Sequence, residues 1–368
     1  MKKLRVDNVR TDRNPLCITK EGNVLMRGIN TDSASIYLSE DSCVTDTLIA
    51  TLPATYFLKE VFLATSGTYI ALMVYWDTGL GKAQYYVARS TDLITWTQVL
   101  VTGDSTFLTH GICDDQYGNI YIGEYNTVGK TTINLWKSID DGLTFSPVYV
   151  FTDSVVRHIH FIQLDPYTNN LWMGCGDTGT QPRIGYSSDG GESWTWVDQG
   201  SQRARACGAL FTQNYVHWGM DANAETAYMV RYNRVTGEVE KTSPCRYEVM
   251  WHHKWNTSGV LMASNAYDVT STDEQNSYFY LSDNEGADWF PTLGMMPQRI
   301  LIKSNTMWNW TKQDKNGYMY TYLQIDKVTI RVSLVDVSSV LKTVEVVKPV
   351  GVVKPVSAIK RCIRLIDA

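Results

Sequence analysis

The feature that most constrains this chain is a turn-forming string that recurs at a near-constant spacing. Ser187–Trp194 reads SSDGGESW, Ser138–Phe145 reads SIDDGLTF, and Ser282–Trp289 reads SDNEGADW, with Asn284 in place of the aspartate. A copy one residue short, STDLITW, begins at Ser90, and a worn copy, SEDSCVTD, begins at Ser39. The starts at 39, 90, 138, 187 and 282 are 51, 48, 49 and 95 residues apart, and the last interval has room for two repeats. The missing copy falls near RVTGEVEK, residues 234–241, which reads as a hairpin turn without the string.

A second signal shares the period. A turn followed by a strand recurs as EGNVLMRG, SGTYIALMV, YGNIYIGEY, NNLWMGCGD, QNYVHWGMD, SGVLMASNA and NGYMYTYLQ, with Val24, Tyr69, Ile120, Leu171, Tyr215, Val260 and Tyr318 in register. A repeat of about 40–50 residues, each holding several short strands, is the mark of a β-propeller, and long helical periodicity is absent. The expected fold is all-β, a propeller of four-stranded blades over residues 1–340. Seven blades are preferred, with six and an appended hairpin as the alternative. The segment KKLRVDNV near the start can supply the outer strand of the last blade, which would remove exposed sheet edges. Residues 341–368 contain VVKPV twice; proline removes a ladder donor, so an extended arm or clasp is expected there.

Composition narrows the classes. In 368 residues there are 12 Trp and 22 Tyr, and only 19% are charged, which suits a folded, strand-rich chain. The net charge of -5 argues against broad nucleic-acid binding. No apolar run approaches the ~20 residues of a membrane span, and MKKLRVDNVRTDRNP lacks the apolar region of a secretory signal. The seven cysteines include no CxxC pair, so buried free thiols and synthesis in a reducing compartment are expected.

The string S-x-D-x-G-x-[ST]-[WF] resembles the Asp box, or BNR repeat, of sialidase-like propellers. The resemblance implies a structural turn between the third and fourth strands of a blade, carried here by Ser138, Asp140, Gly142 and Phe145, by Ser187, Asp189, Gly191 and Trp194, and by Ser282, Asn284, Gly286 and Trp289. The chemistry suits such a turn: a carboxylate accepts main-chain N–H groups, glycine takes a positive φ, and the aromatic packs between blades. The resemblance also implies a glycan site in the funnel on the opposite face. Sialidases open their first blade with Arg-Ile-Pro, and Arg13-Asn14-Pro15 matches this in part. Arg205, Arg246 and Arg299 could complete an arginine cluster, and Asp32 could stand where the family has its acid. The family's Tyr–Glu nucleophile pair has no placed counterpart. The architecture therefore carries over along roughly residues 10–335, while sialidase chemistry does not.

In a propeller, loops entering the first strand and leaving the second surround one face. Before the first strands lie Arg13, Lys59 with Glu60, His110, His160, Arg205, His252 with His253, and Trp308; after the second lie Asp77, Glu124, Asp177, Asp221 and Asp268. The catalytic candidates are His110, His160, Glu124, Asp177 and Arg205. The ligand-binding candidates are Arg13, Asp32, Trp76, His158, Arg203, Asp221, His252, His253 and Trp308. His158 and His160 share a strand face and could hold a divalent metal with His110 or His252. Glu124 and Asp177 could form an acid/base pair. Arg203 and Arg205 could clamp a carboxylated sugar, and Trp76 or Trp308 could stack on one.

These residues favour recognition of an oligo- or polysaccharide. A cytoplasmically made virion or phage-tail component would reconcile that with the missing leader, the arm serving attachment to a particle or to further copies. The alternative is a glycan-degrading enzyme, either a sialidase-like glycoside hydrolase or a polysaccharide lyase with a histidine base. A protein-interaction platform is the third class.

Overall fold

A computed structural model describes residues 2–126, 128–222, 226–245, 249–254, 259–265, 279–292, 310–323 and 328–336. The expectations on Arg246, Asp268, Arg299, Trp308, Cys362 and the segment 341–368 lie outside the described residues, as do those on the side chains of His252 and His253. Two compact units divide the chain: Leu4–Leu334, and Met1–Lys3 with Val335–Ala368.

Six four-stranded antiparallel sheets follow one another, each built in simple chain order. Sheet 1 comprises Arg13–Ile18, Val24–Gly28, Ser35–Ser39 and Thr47–Thr51. Sheet 2 comprises Tyr56–Leu63, Tyr69–Asp77, Lys82–Ser90 and Thr97–Gly103. Sheet 3 comprises Ile112–Asp114, Ile120–Gly123, Ile133–Ser138 and Ser146–Phe151. Sheet 4 comprises Ile159–Leu164, Leu171–Cys175, Arg183–Ser187 and Thr195–Gln199. Sheet 5 comprises Leu210–Phe211, Tyr215–Gly219, Ala227–Asn233 and Val239–Cys245. Sheet 6 comprises Val249–Lys254, Leu261–Asn265, Phe279–Ser282 and Phe290–Thr292. A three-stranded sheet, sheet 7, orders Met319–Leu323, Val328–Asp336 and then the N-terminal strand Lys2–Arg10. Five of the aligned turn-strand positions open the second strand of their sheet, Val260 immediately precedes the second strand of sheet 6, and Tyr318 immediately precedes Met319–Leu323 of sheet 7.

Burial explains why the second strands read as unbroken apolar runs. Tyr69–Val74 and Leu171–Cys175 are buried at every position, because both faces of each sheet are covered by neighbouring sheets. The fourth strand Thr97–Gly103 is half-buried or exposed throughout. Cores are shared between consecutive sheets. Leu25 and Ile36 pack with Leu58 and Ala71, Ile70 and Leu72 with Ile120 and Ile122, and Leu135 with Ile159 and Met173. Trp172 and Ile184 join Trp218, Met229, Leu261 and Tyr280 in one cluster. Met262 and Phe279 pack with Met319 and Ile330, and Tyr320 packs with Val24 and Met26, returning to sheet 1. The cores thus form a closed cycle.

Each of the five repeated strings starts on the last residue of a third strand and turns into the fourth. The serine hydroxyl accepts a main-chain N–H inside the turn: from Cys43 to Ser39 at 2.9 Å, Leu93 to Ser90 at 2.9 Å, Gly142 to Ser138 at 2.8 Å, Gly191 to Ser187 at 2.8 Å, and Gly286 to Ser282 at 2.9 Å. Asp189 Oδ1 accepts from the N–H groups of Glu192 and Ser193 at 3.1 and 3.0 Å, and Asp41, Asp92 and Asp140 act alike. Cys43, Leu93, Gly142, Gly191 and Gly286, which donate to the serines, all have positive φ, between 64° and 95°. The worn copies correct the glycine rule: Cys43 and Leu93 occupy this conformation, held by the same bonds and by burial of their side chains. Trp289 is buried, and Phe145 and Trp194 are partly buried against the shared cores.

Candidate functional site

Antiparallel strands put the start of the first strand and the end of the second at the same edge of each sheet, opposite the turns just described. At that edge, sheets 4 and 5 and the loop leaving sheet 3 bring a cluster of polar residues together. His158 immediately precedes the first strand of sheet 4, His160 lies within it, and Asp177 follows its second strand by two residues. Arg205 and Cys207 enter sheet 5, and Asp221 leaves it; an isolated bridge between Ala206 and Met220 pins these two arms together. Tyr125 leaves sheet 3, where Tyr125–Asn126 pairs with Ser105–Thr106.

The centre is a triangle. His158 Nε2 and His160 Nε2 are 2.9 Å apart, and Asp177 Oδ1 lies 3.1 Å from the first and 3.0 Å from the second. Asp177 Oδ2 accepts from Arg157 Nη1 at 2.9 Å. Arg205 Nη2 sits 2.9 Å from Asp221 Oδ2 and 3.5 Å from Asp177 Oδ1. His158 Nδ1 faces Asn126 O at 2.8 Å, and His160 Nδ1 faces Ala206 O at 3.1 Å. The Tyr125 ring stacks on His158 with centroids 3.9 Å apart. Both histidines and Asp177 are buried, whereas the Arg157 side chain is 47% exposed and leads from the surface to the cluster.

Titration follows from these surroundings. Burial alone would raise the Asp177 carboxyl, but its close contacts with the His158 and His160 rings outweigh it and hold the group well below the usual carboxylate range. His160 is shifted down, by burial first, with the contact to Asp177 opposing. Burial and then Asp221 push the Cys207 thiol well above its ordinary value, so it is protonated and poorly nucleophilic at neutral pH. His110 is lowered to about 4 by burial, against its contact with Cys207 O at 3.4 Å.

His110 also lines a cavity of about 390 Å³ ringed by first strands, with Glu60, Gln163, Cys113, Trp310 and Lys312 among its walls. That volume is within the range of small-molecule pockets, about 300–1,000 Å³.

The other sequence candidates are placed elsewhere or differently bonded. Glu124 is buried and accepts from Ser105 Oγ at 2.6 Å, Lys130 Nζ at 2.5 Å, Asn134 N at 3.0 Å and Asn134 Nδ2 at 2.9 Å, which makes it a clamp for its own loop. Arg203 grips Asp198 through two bonds, at 2.6 and 3.2 Å. Arg13 pairs with Asp46 at 2.8 Å and approaches Asp32 at 3.5 Å, lying over the Tyr37 ring at 3.6 Å. Asp32 Oδ2 accepts from Tyr37 OH at 2.8 Å. Trp76 is 55% exposed on the strand before Asp77, whose carboxylate accepts from Gly79 and Leu80 N–H groups. Sequence reading missed Arg157 and Tyr125 as site residues. Arg157 adjoins His158 in the sequence, and Tyr125 is the neighbour of Glu124, so a one-residue shift of strand face separates the clamp from the ring that meets the histidines.

The chain is similar in structure to a GH74 enzyme from Niastella koreensis, with a TM-score of 0.59 and 17% identity over 89% of this chain and 53% of that one. It is similar to the GH74 xyloglucanase from Xanthomonas campestris, with a TM-score of 0.58 and 13% identity over 89% and 55%. It is also similar to the extracellular domain of a hybrid two-component system protein from B. thetaiotaomicron, with a TM-score of 0.54 and 12% identity over 89% and 39%. The fold is a β-propeller. At these identities the likeness is one of fold alone. The chain spans about half the length of the two GH74 proteins. No protein-family description and no curated protein matches it by sequence. Among the described residues, no helix of the propeller is long and apolar enough to cross a membrane.

Proposed function

We propose that this propeller recognises a glycan at the end where Arg157, His158, His160, Asp177 and Arg205 converge. The observation that carries the reading is that convergence: half-exposed Arg157 leads to a buried cluster of imidazoles and carboxylates, with an aromatic ring, Tyr125, beside it. Such a surface offers planar polar groups for sugar hydroxyls and guanidinium for a sugar carboxylate. The fold likeness to GH74 enzymes supports a glycan-related role.

Binding is favoured over hydrolysis by the Glu124–Asp177 pair. A glycosidase acid needs a raised pKa, whereas Asp177 is held low and Glu124 is occupied by four donors. A lyase using a neutral histidine base beside Arg157 and Arg205 is the second reading, and the lowered His160 favours it. In the recognition reading the repeated turns are Asp boxes, sheet 7 is a seventh blade, and residues 341–368 are an arm that attaches the propeller to a particle such as a virion or phage tail. Purified protein is to be screened against sialosides, uronate polysaccharides and neutral glycans, recording both binding and product release. Binding without product supports the recognition reading, an unsaturated uronate product supports the lyase, and no response to any glycan removes both.

A further inference from the structure

A carbonyl oxygen only accepts hydrogen bonds, so the contacts to Asn126 O and Ala206 O select the Nδ1–H tautomer of both imidazoles. Each Nε2 then carries a lone pair. The two Nε2 atoms face each other and Asp177 Oδ1, a carboxylate oxygen, along edges of 2.9, 3.0 and 3.1 Å. Three lone pairs thus converge in a buried place, which is unfavourable unless something positive sits among them. A proton shared along one edge would shorten that edge and leave the other two opposed. A metal bonded to all three at about 2.0–2.2 Å, with right angles between bonds, holds its ligand atoms about 2.8–3.1 Å apart. The observed triangle has that size on every edge.

We propose that His158 Nε2, His160 Nε2 and Asp177 Oδ1 bind a first-row divalent transition metal as one face of an octahedron. Two imidazoles and a carboxylate on one face suit such an ion and leave its remaining positions to solvent or a ligand. The surroundings match those of metal-bound histidines. Both Nδ1–H groups donate to main-chain carbonyls, Arg157 fixes the far oxygen of Asp177, and Tyr125 stacks on one ring. Arg205, 3.5 Å from Asp177 Oδ1, opposes a cation, but its closer bond is to Asp221, so the two guanidiniums are matched by two carboxylates. The third ligand is therefore Asp177, not His110, whose ring faces Cys207 O.

The site does not depend on the glycan reading, and its test reads metal alone. Chelator-treated protein is titrated with Co2+, and separately with Zn2+ and Mn2+, followed by calorimetry, elemental analysis and, for Co2+, the visible spectrum. About one equivalent should bind, and His158→Gln and Asp177→Asn should each weaken binding about 100-fold while circular dichroism stays unchanged. His110→Gln should bind as the parent does. Failure of all three ions to bind folded protein at millimolar concentration, or unchanged binding by His158→Gln and Asp177→Asn, would overturn the proposal. Should a variant fail to fold, thermal stability of the parent decides: added metal should raise its melting temperature, and no shift would count against the site.

Discussion

Ser42 donates its hydroxyl to Asp314 Oδ2 at 2.7 Å, joining residues 272 positions apart. The same carboxylate oxygen accepts from Tyr320 OH at 2.7 Å, and Asn316 Nδ2 donates to Ser42 Oγ at 2.9 Å. This buried network ties the turn of sheet 1 to sheet 7, where the cycle of cores returns to its start. Asp314→Ala would leave two buried hydroxyls without that acceptor and should cost about 2–4 kcal/mol, measured by urea unfolding. Ser42→Ala removes one donor and should cost less.

The turn of sheet 6 gives a steric test. Gly286 has φ of 70°, and a Cβ there would meet the His217 ring at 2.5 Å. Gly286→Ala should therefore add overpacking to backbone strain, a loss of about 2–4 kcal/mol. Gly67→Ala, with φ of 93° and open space around it, should show only the strain, about 1–2 kcal/mol. Paired thermal melts compare the two.

Acid should destabilise the chain in two stages. Burial lowers His110 to about 4 and His217 to about 3, from an ordinary 6.5. Below pH 6.5 the unfolded chain takes up those protons first, so stability falls as pH falls, levelling near 4 and 3 respectively. Asp41, Asp140 and Asp189 are held at about 2 by their turn hydrogen bonds, those of Thr45, Thr144 and Ser193 foremost. Their contribution is present above 3.8 and is lost as pH falls towards 2. Unfolding free energy measured from pH 7 to pH 2 should fall through both windows, and His217→Gln should flatten part of the first.

The repeat was legible in the sequence because each unit must return the chain through the same strands and turns. Six of the aligned positions fall at or next to the starts of second strands, Tyr318 falls next to Met319–Leu323 of sheet 7, and the repeated strings fall at the ends of third strands. What pattern could not give was the pairing of side chains. His158, His160, Asp177, Arg205 and Asp221 meet at one edge, yet the role of Glu124 depends on one residue of register. Its carboxylate turns to Lys130 and Asn134 while Tyr125 meets His158. Cys43 and Leu93 show the converse: a turn persists without its glycine when the bonds and burial around it suffice.

The most direct test of the account compares glycan affinity for the parent and for Arg157→Ala, using whichever oligosaccharide binds tightest in the screen. Leu143→Ser, an exposed change on the opposite, turn-bearing edge, serves as the control. Arg157→Ala should weaken binding about tenfold or more, and Leu143→Ser should leave it unchanged. Equal affinity of the parent and Arg157→Ala, or loss of binding in Leu143→Ser alone, would contradict a ligand site at the Arg157 end of the propeller.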